Sequence, residues 1–325
     1  MTHCVLGIDT SCYTTSCAAV TLDGQVICSQ RKLLPVKTGE RGLRQSEAVF
    51  AHVRQLPELM EALSDAVGCR RIAAVCVSRT PCDDVASYMP VFQVGDAQGR
   101  SLSAILGVPC FASTHQRGHI AAASIDSGIR QGDLLALHLS GGTTDLLAMK
   151  NDTLQVIGGS RDLHAGQLVD RAGVAMGLRF PAGPELEELA KSGNSSALLK
   201  LNTEQGGLWC HLSGAESQLQ RWIQDGSMPR ENIAREVYDF LSRAVSKMLV
   251  AAARETGIRQ ALIAGGVASS ELFRSLLKAR LAKLDRGFHV CFGHPEYSGD
   301  NAVGIAWIGA QKLREMEGCK HGSAD

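Results

Sequence analysis

Residues 133–160 read DLLALHLSGGTTDLLAMKNDTLQVIGGS, a strand, a glycine turn, a strand, a hairpin and a third strand. The chain opens in the same way. CVLGIDTS (4–11) has the pattern of a buried strand ending in a small-residue turn, and TSCAAVTLDGQVICSQ (15–30) continues as two strands joined at Asp23-Gly24, a hairpin signal.

Each meander runs on into alternating helix and strand. In the first half SEAVFAHVRQLPELMEALSDAVG (46–68) has helical apolar spacing interrupted at Pro57, RRIAAVCVS (70–78) reads as a buried strand, and helix and strand lead to a helix at residue 115. In the second, a polar loop RDLHAG (161–166) precedes a helix from Gln167 and a polar, glycine-containing stretch runs from Ser192 to Gly226. A long helix over 231–257, the strand QALIAGGVA (260–268), a helix from Ser270 and a last helix over 301–318 follow, with CKHGSAD (319–325) as a frayed tail. Two such halves predict an α/β chain of the duplicated actin-like, sugar-kinase-like type, with a nucleotide cleft between two lobes. This is an analogy of topology, silent about chemistry. The expected lobes are residues 1–127, with the terminal helix 303–318 packing back on them, and residues 128–302.

The 325 residues, 45% hydrophobic and 20% charged, suffice for two ordinary cores. Lysine plus arginine and aspartate plus glutamate both number 33, so no bulk basic field announces a nucleic-acid binder, and any such contact must use a local patch. Eleven cysteines scattered from Cys4 to Cys319, without a zinc-type CxxC, do not make a disulfide framework. MTHCVLGIDTS lacks the pattern of a secretion signal, and no stretch approaches a membrane span, so the expectation is a cytoplasmic protein with no membrane contact.

Three glycine turns follow strands, GIDTS at Gly7, LSGGTTD at Ser140 and IAGGVASS at Gly265. Glycine lets a backbone approach a phosphate while turn amides and helix N-termini supply donors, although none of the three matches a Walker or GxGxxG fingerprint. Asp170, in the first turns of a helix that Pro181 and Gly183 break, has the position of a ribose-hydroxyl acceptor, but acids near helix N-termini are common for dipole reasons alone. In THQRGHIAAA (114–123), His115 and His119 stand at i and i+4 on one helix face, two ligands in want of a third such as Asp300 of YSGDNAVGIA. On spacing alone an exposed pair of imidazoles is the more ordinary reading. No GxSxG elbow is present, neither Cys12 nor Cys82 has a cysteine-protease context, and the histidine helix lacks the glutamate of HExxH.

In order, these segments resemble the TsaD family of tRNA threonylcarbamoyladenosine transferases. GIDTSCYTT is similar to a GIETSCDET-like opening, HQRGH to HxxGH, SGGTT to SGGHT, GQLVDRAGVAMGLRFPAGP to a GEAFDKxAxxLGLxYPGGP-like run, GGVASS to GGVAAN, and GDNAVGIA to a DNAAM-like helix start. The resemblance implies two actin-like lobes and one divalent metal per subunit, iron or zinc, on His115, His119 and Asp300. It implies a threonylcarbamoyl-adenylate donor, made by a separate synthase from threonine, bicarbonate and ATP, and transfer to N6 of adenosine 37 in tRNAs reading codons that begin with A. Bacterial accessory subunits and a homo- or heterodimer are further implied partners. By motif position Asp170 and Gly183 would contact the ribose, Gly166 and Gly266 would flank the nucleotide, Ser140, Gly141 and Gly142 would line its phosphate side, and Thr143 and Ser270 complete the adenine-nucleotide set.

The chain departs from the pattern in four places. Tyr13 and Thr14 replace the acids of SCDET, Thr143 the histidine of SGGHT, Ser270 the asparagine of GGVAAN, and RTPCDD (79–84) the expected GPG loop. A threonine cannot titrate as histidine does, so a base for the attacking amine must come from elsewhere. Asp9 and Asp145 are the candidate catalytic residues, and Asp83 and Asp84 are further substitutes. The alternatives are a non-catalytic nucleotide-binding scaffold that pairs with a true transferase, a carbamoyl transferase with another acceptor, and, third, a sugar-kinase-like phosphotransferase. Lys32, Lys37, Arg41 and Arg44 flank a polar loop that could meet tRNA phosphates, or form an ordinary solvated face.

Overall fold

The computed structural model describes residues 3–35, 44–68, 71–84, 86–130 and 132–321. Two compact units emerge. Unit 1 comprises Met1–Ile125 together with Gly299–Asp325, and unit 2 is Asp126–Ser298. The second boundary lies four residues before the expected 302, so Asp300 belongs with the first 125 residues.

Unit 1 is built on a five-stranded sheet of order β3-β2-β1-β4-β5. The meander β1 (His3–Thr10), β2 (Thr14–Thr21) and β3 (Val26–Leu33) is antiparallel, and β4 (Arg71–Thr80) and β5 (Cys110–Thr114) add parallel strands beside β1. Beyond its first residue β1 is buried throughout, which is why it reads as a continuous apolar run. Leu6 and Ile8 pack with Val75 and Val77 against α1 (Gln45–Val67) and α2 (Phe92–Leu106), whereas Val5, Ala74 and Cys76 pack against Ile305, Ala310 and Leu313 of the terminal helix α9 (Val303–His321).

Unit 2 repeats the plan in a seven-stranded sheet of order β12-β11-β6-β7-β8-β10-β9. The meander is β6 (Leu134–Leu139), β7 (Thr144–Lys150) and β8 (Thr153–Ser160), and β11 (Gln260–Ala264) and β12 (His289–Phe292) run parallel beside β6. Around the first strand of each meander the two units share the same order over five strands, and unit 2 adds two short strands beyond β8. This is the duplication visible in the sequence. Around it lie α4 (Ala165–Ala175), α5 (Gly183–Lys191), α6 (Ser213–Asp225), the central α7 (Arg230–Thr256) and α8 (Glu271–Leu284).

Several local expectations are corrected. Pro57 does not interrupt α1; it sits on the exposed face of the helix, where its ring meets no packed neighbour element among the described residues. The stretch from Ser192 to Gly226 contains β9 (Asn202–Thr203), β10 (Trp209–His211) and α6, whose buried positions are few, Ala215 and Leu219. Gly7 forms no turn. It lies inside β1, and a Cβ there would stand 2.5 Å from Ala302 O and from Ala306 N of α9. The turn expected at Gly7 comes after Thr10, where the Ser11 amide donates to Thr14 O at 3.1 Å. The last helix begins at Val303 and keeps Cys319–His321 helical.

Candidate metal centre and nucleotide loops

No loop separates β5 from α3 (His115–Ser124), and the Thr114 hydroxyl caps the helix by accepting from the Arg117 amide at 3.2 Å. Asp83 steadies the same turn. It accepts from Arg117 Nε and Nη2 at 2.7–3.0 Å and from Thr114 Oγ1 at 3.0 Å, so this carboxylate is committed to holding the helix and does not stand free as a base. Asp84 accepts from the Ala86 amide on the surface. Helices α3 and α9 cross at Gly118 and Gly304, where a Cβ on Gly304 would overlap Gly118 O. Just before α9, Asn301 Oδ1 accepts from the Val303 amide and Nδ2 donates to Gly299 O, fixing the turn that carries Asp300.

Three atoms from two distant segments therefore converge within unit 1. His115 Nε2 and His119 Nε2 are 3.0 Å apart, and Asp300 Oδ1 lies 3.6 Å from the first and 3.3 Å from the second. Tetrahedral ligands on an ion with bonds near 2.0–2.1 Å stand about 3.3 Å from one another, so this triangle fits a four-coordinate divalent cation. The donor set of two imidazoles and one carboxylate suits iron and zinc alike. Both oxygens of Asp9, which is 0% exposed, lie 3.0 Å from His115 Nδ1, so this nitrogen donates to the carboxylate and Nε2 is turned toward the triangle. Burial opposes charge on His115, but the Asp9 carboxylate and the bonds to Asp300 and Asp9 prevail and push its pKa up to about 10. Burial would raise Asp300, yet the two histidines hold it well below the usual carboxylate range.

The positions that the family fills with acids diverge in exposure, Tyr13 at 53% and Thr14 at 3%. Lys32 pairs with Glu58 at 2.7 Å, Arg44 precedes α1, and Lys37 and Arg41 lie outside the described residues.

In unit 2 most of the expected nucleotide residues gather at the carboxyl ends of neighbouring strands, the usual place for a ligand in an open α/β sheet. The β6–β7 turn is closed by the Ser140 amide on Thr143 O, and Ser140 Oγ accepts from the amides of Gly142 and Thr143 at 3.3 and 3.0 Å. Gly166, in the first turn of α4, donates to Ser140 O at 3.0 Å, and a Cβ there would stand 2.5 Å from Gly141 N. Gly265 ends the adjacent strand at φ +100°, pressed against Leu139 O, and Gly266 after it faces open space. Ser270 caps α8 by accepting from the Phe273 amide. Asp170 accepts from the Ala182 amide at 2.8 Å, and Gly183 O accepts from Tyr238 Oη at 2.9 Å. Asp145 is half-buried on β7, opposite His138, and burial pushes its pKa up against the pull of His164.

The family model described as TsaD, tRNA N6-adenosine threonylcarbamoyltransferase, matches residues 25–307. The chain belongs to the TsaD family. A curated relative named tRNA N6-adenosine threonylcarbamoyltransferase, from Prochlorococcus marinus (strain MIT 9313), is 29% identical over 98% of this chain and 92% of its own. Among solved structures, HypF of T. kodakarensis matches 97% of this chain and 48% of its own at TM-score 0.60 and 14% identity. A ROK family glucokinase from Streptomyces griseus matches 95% of this chain and 99% of its own at TM-score 0.53 and 13% identity. Likenesses this distant in sequence concern the fold alone, which is the two-lobe actin-like fold. Within the TsaD family, the residues that sequence reasoning missed are those behind the triangle. Ser11 directly follows the buried β1, and His52 and Gln55 interrupt the apolar face of α1 formed by Ala48, Leu56, Leu59 and Leu63. Polar side chains on that face were the available signal.

Proposed function

We propose that this member of the TsaD family transfers the threonylcarbamoyl group of threonylcarbamoyl-adenylate to the N6 amine of adenosine 37 in tRNAs reading ANN codons, with one iron or zinc ion held by His115, His119 and Asp300. The observation that carries this reading is the meeting of the three ligand atoms, the two histidines on α3 and Asp300 ahead of α9, in the geometry a four-coordinate cation requires. A cation bound there supplies Lewis acidity toward a carbonyl oxygen.

The chain's own residues do the rest. Asp9, expected as a catalytic acid or base, acts here by holding His115, since both of its oxygens face Nδ1 and it has no exposed surface. In the Ser140–Thr143 turn the amides of Ser140, Gly142 and Thr143 hold the turn and that of Gly166 holds Ser140 O, which leaves the Gly141 amide, beside open space, as the donor for an adenylate phosphate. Asp170 has a second carboxylate oxygen for a ribose hydroxyl while Oδ1 holds Ala182, and Gly183, Gly266 and Ser270 are the further proposed nucleotide contacts. Asp145 is the remaining candidate proton acceptor, half-buried, with its pKa raised by burial against the pull of His164. Further proposals are a cytoplasmic setting with a threonylcarbamoyl-adenylate synthase and accessory subunits, and a homo- or heterodimer. Among the described residues no helix is long and apolar enough to cross a membrane.

The test is modification of an unmodified ANN-reading tRNA by the purified chain with its synthase and accessory subunits, read as threonylcarbamoyladenosine by mass spectrometry. Product that appears with the native chain and is absent with His115→Ala supports the reading. No product under conditions in which the Prochlorococcus relative works would overturn it.

A further inference from the structure

Behind the triangle lies a line of buried hydrogen bonds that neither the transfer reaction nor the ligand set calls for. Ser11, 2% exposed, donates from Oγ to Asp300 Oδ2 at 2.7 Å, while the other oxygen, Oδ1, faces both histidines. The Ser11 carbonyl in turn lies 2.9 Å from Nε2 of His52, which is 0% exposed on the inner face of α1. A carbonyl only accepts, so Nε2 carries a proton toward it. His52 Nδ1 is 2.7 Å from Thr15 Oγ1, and Thr15 Oγ1 donates to Gln55 Oε1 at 2.7 Å. Gln55 Nε2 closes the line on Leu33 O at 3.2 Å. Polar groups buried this deeply are tolerated only when partnered; Ser11, His52 Nε2 and Gln55 Nε2 each have an acceptor, and the single Thr15 hydroxyl proton serves either Gln55 Oε1 or His52 Nδ1.

We propose that Ser11 and His52 are positioning residues for the metal. Ser11 engages Oδ2 so that Asp300 offers Oδ1 alone, and His52 fixes Ser11 from α1. A carboxylate with both oxygens free can take two positions on a cation, whereas one tied down through Oδ2 takes one and leaves a position for substrate. The brace thus keeps the site open as well as filled. This proposal rests on the metal reading of the triangle.

The experiment uses cobalt(II) alone as the probe, titrated into the whole metal-free chain with a competing chelator, because its visible bands distinguish four-coordinate from higher-coordinate ions without any assay of activity. In the native chain we expect the intense bands of four-coordinate cobalt. Ser11→Ala removes one hydroxyl and little volume. It is expected to weaken cobalt binding by about 10- to 100-fold, the usual effect of losing a partner behind a ligand, and to shift the bands toward the weaker, higher-coordinate pattern. His52→Leu is expected to move both readouts in the same direction by less, with thermal unfolding run in parallel to confirm a folded chain. Native affinity and native bands in Ser11→Ala would overturn the brace. A folded His52→Leu chain that matches the native one, beside an altered Ser11→Ala, would overturn the His52 step alone. If the native chain takes up no cobalt, the metal reading falls, and the proposal with it. That outcome is distinct from the other two.

Discussion

Both oxygens of Asp9 accept from His115 Nδ1, so the change Asp9→Asn separates charge from shape. An amide holds the ring less firmly and no longer favours a proton on Nδ1, and about a 10- to 100-fold loss of metal affinity is expected, measured by chelator competition. Unchanged affinity would remove Asp9 from the site. Protonation gives a second prediction. With its pKa near 10 against an ordinary 6.5, His115 stabilises the metal-free chain fully below pH 6.5, and this stabilisation is lost as pH rises through 10. Asp300, depressed from 3.8, contributes above that pH and loses its contribution as acid is added. The metal-free protein should therefore show its largest His115 contribution to unfolding temperature between about pH 4 and 6.5, judged against His115→Gln. At pH 7 metal uptake should release a proton, because a ligating imidazole must be neutral. Titration calorimetry in buffers of different ionisation enthalpy reads that proton directly, and equal heats across buffers would contradict the assignment.

The elements that carry the ligands are placed by what they lack. Helix α9 lies over β1 at Gly7 and over α3 at Gly118 because glycine has no Cβ to hold them apart. Gly304→Ala drives a methyl into a backbone carbonyl, which a rotamer change cannot relieve. A loss of about 3 kcal/mol in urea unfolding is expected, at the upper end for overpacking, together with loss of metal. Asp83→Ala, which removes the carboxylate clamping Arg117 and Thr114, should cost less, about 1 kcal/mol for a pair that is partly solvated. If Gly304→Ala unfolds at the native urea concentration, the crossing is looser than described. These packing roles also mark what was legible in advance. The two meanders, the long α7 and the glycine turns at Ser140 and Gly265 follow from periodicity and turn chemistry, which are local. GIDTS reads as a turn because a glycine beside small polar residues has that local meaning, and only the arrival of α9 from the far end of the chain shows it as a contact point. Pro57 and the sparse apolar spacing of α6 misled for the same reason, since tertiary surroundings decided both. At the site, spacing paired His115 with His119 and the resemblance added Asp300, and the three candidate ligand atoms do meet. Ser11 and His52 were not, because a polar residue on the apolar face of α1 signals a buried partner without saying which distant segment supplies it.

Each of the two units has a core of its own, and that of unit 1 is assembled from both ends of the chain. A chain ended at Ser298 keeps all of unit 2 and loses α9 and Asp300. It should retain a cooperative unfolding transition from unit 2, bind no cobalt, and expose β1 and β4 to proteolysis where Ile305, Ala310 and Leu313 had covered them. Cobalt binding by that shortened chain would show that two histidines suffice. The same discontinuity sets an order of events during synthesis. As the ribosome delivers the chain from its first residue, the sheet of unit 1 emerges early and must wait, one face uncovered, while the whole of unit 2 is made. Unit 2 is contiguous and can close on itself as soon as Ser298 is free. The three candidate ligand atoms are the last to come together, so on the proposed function a translation product cut short cannot acquire an ion, and possession of one would report that the chain was read past residue 300.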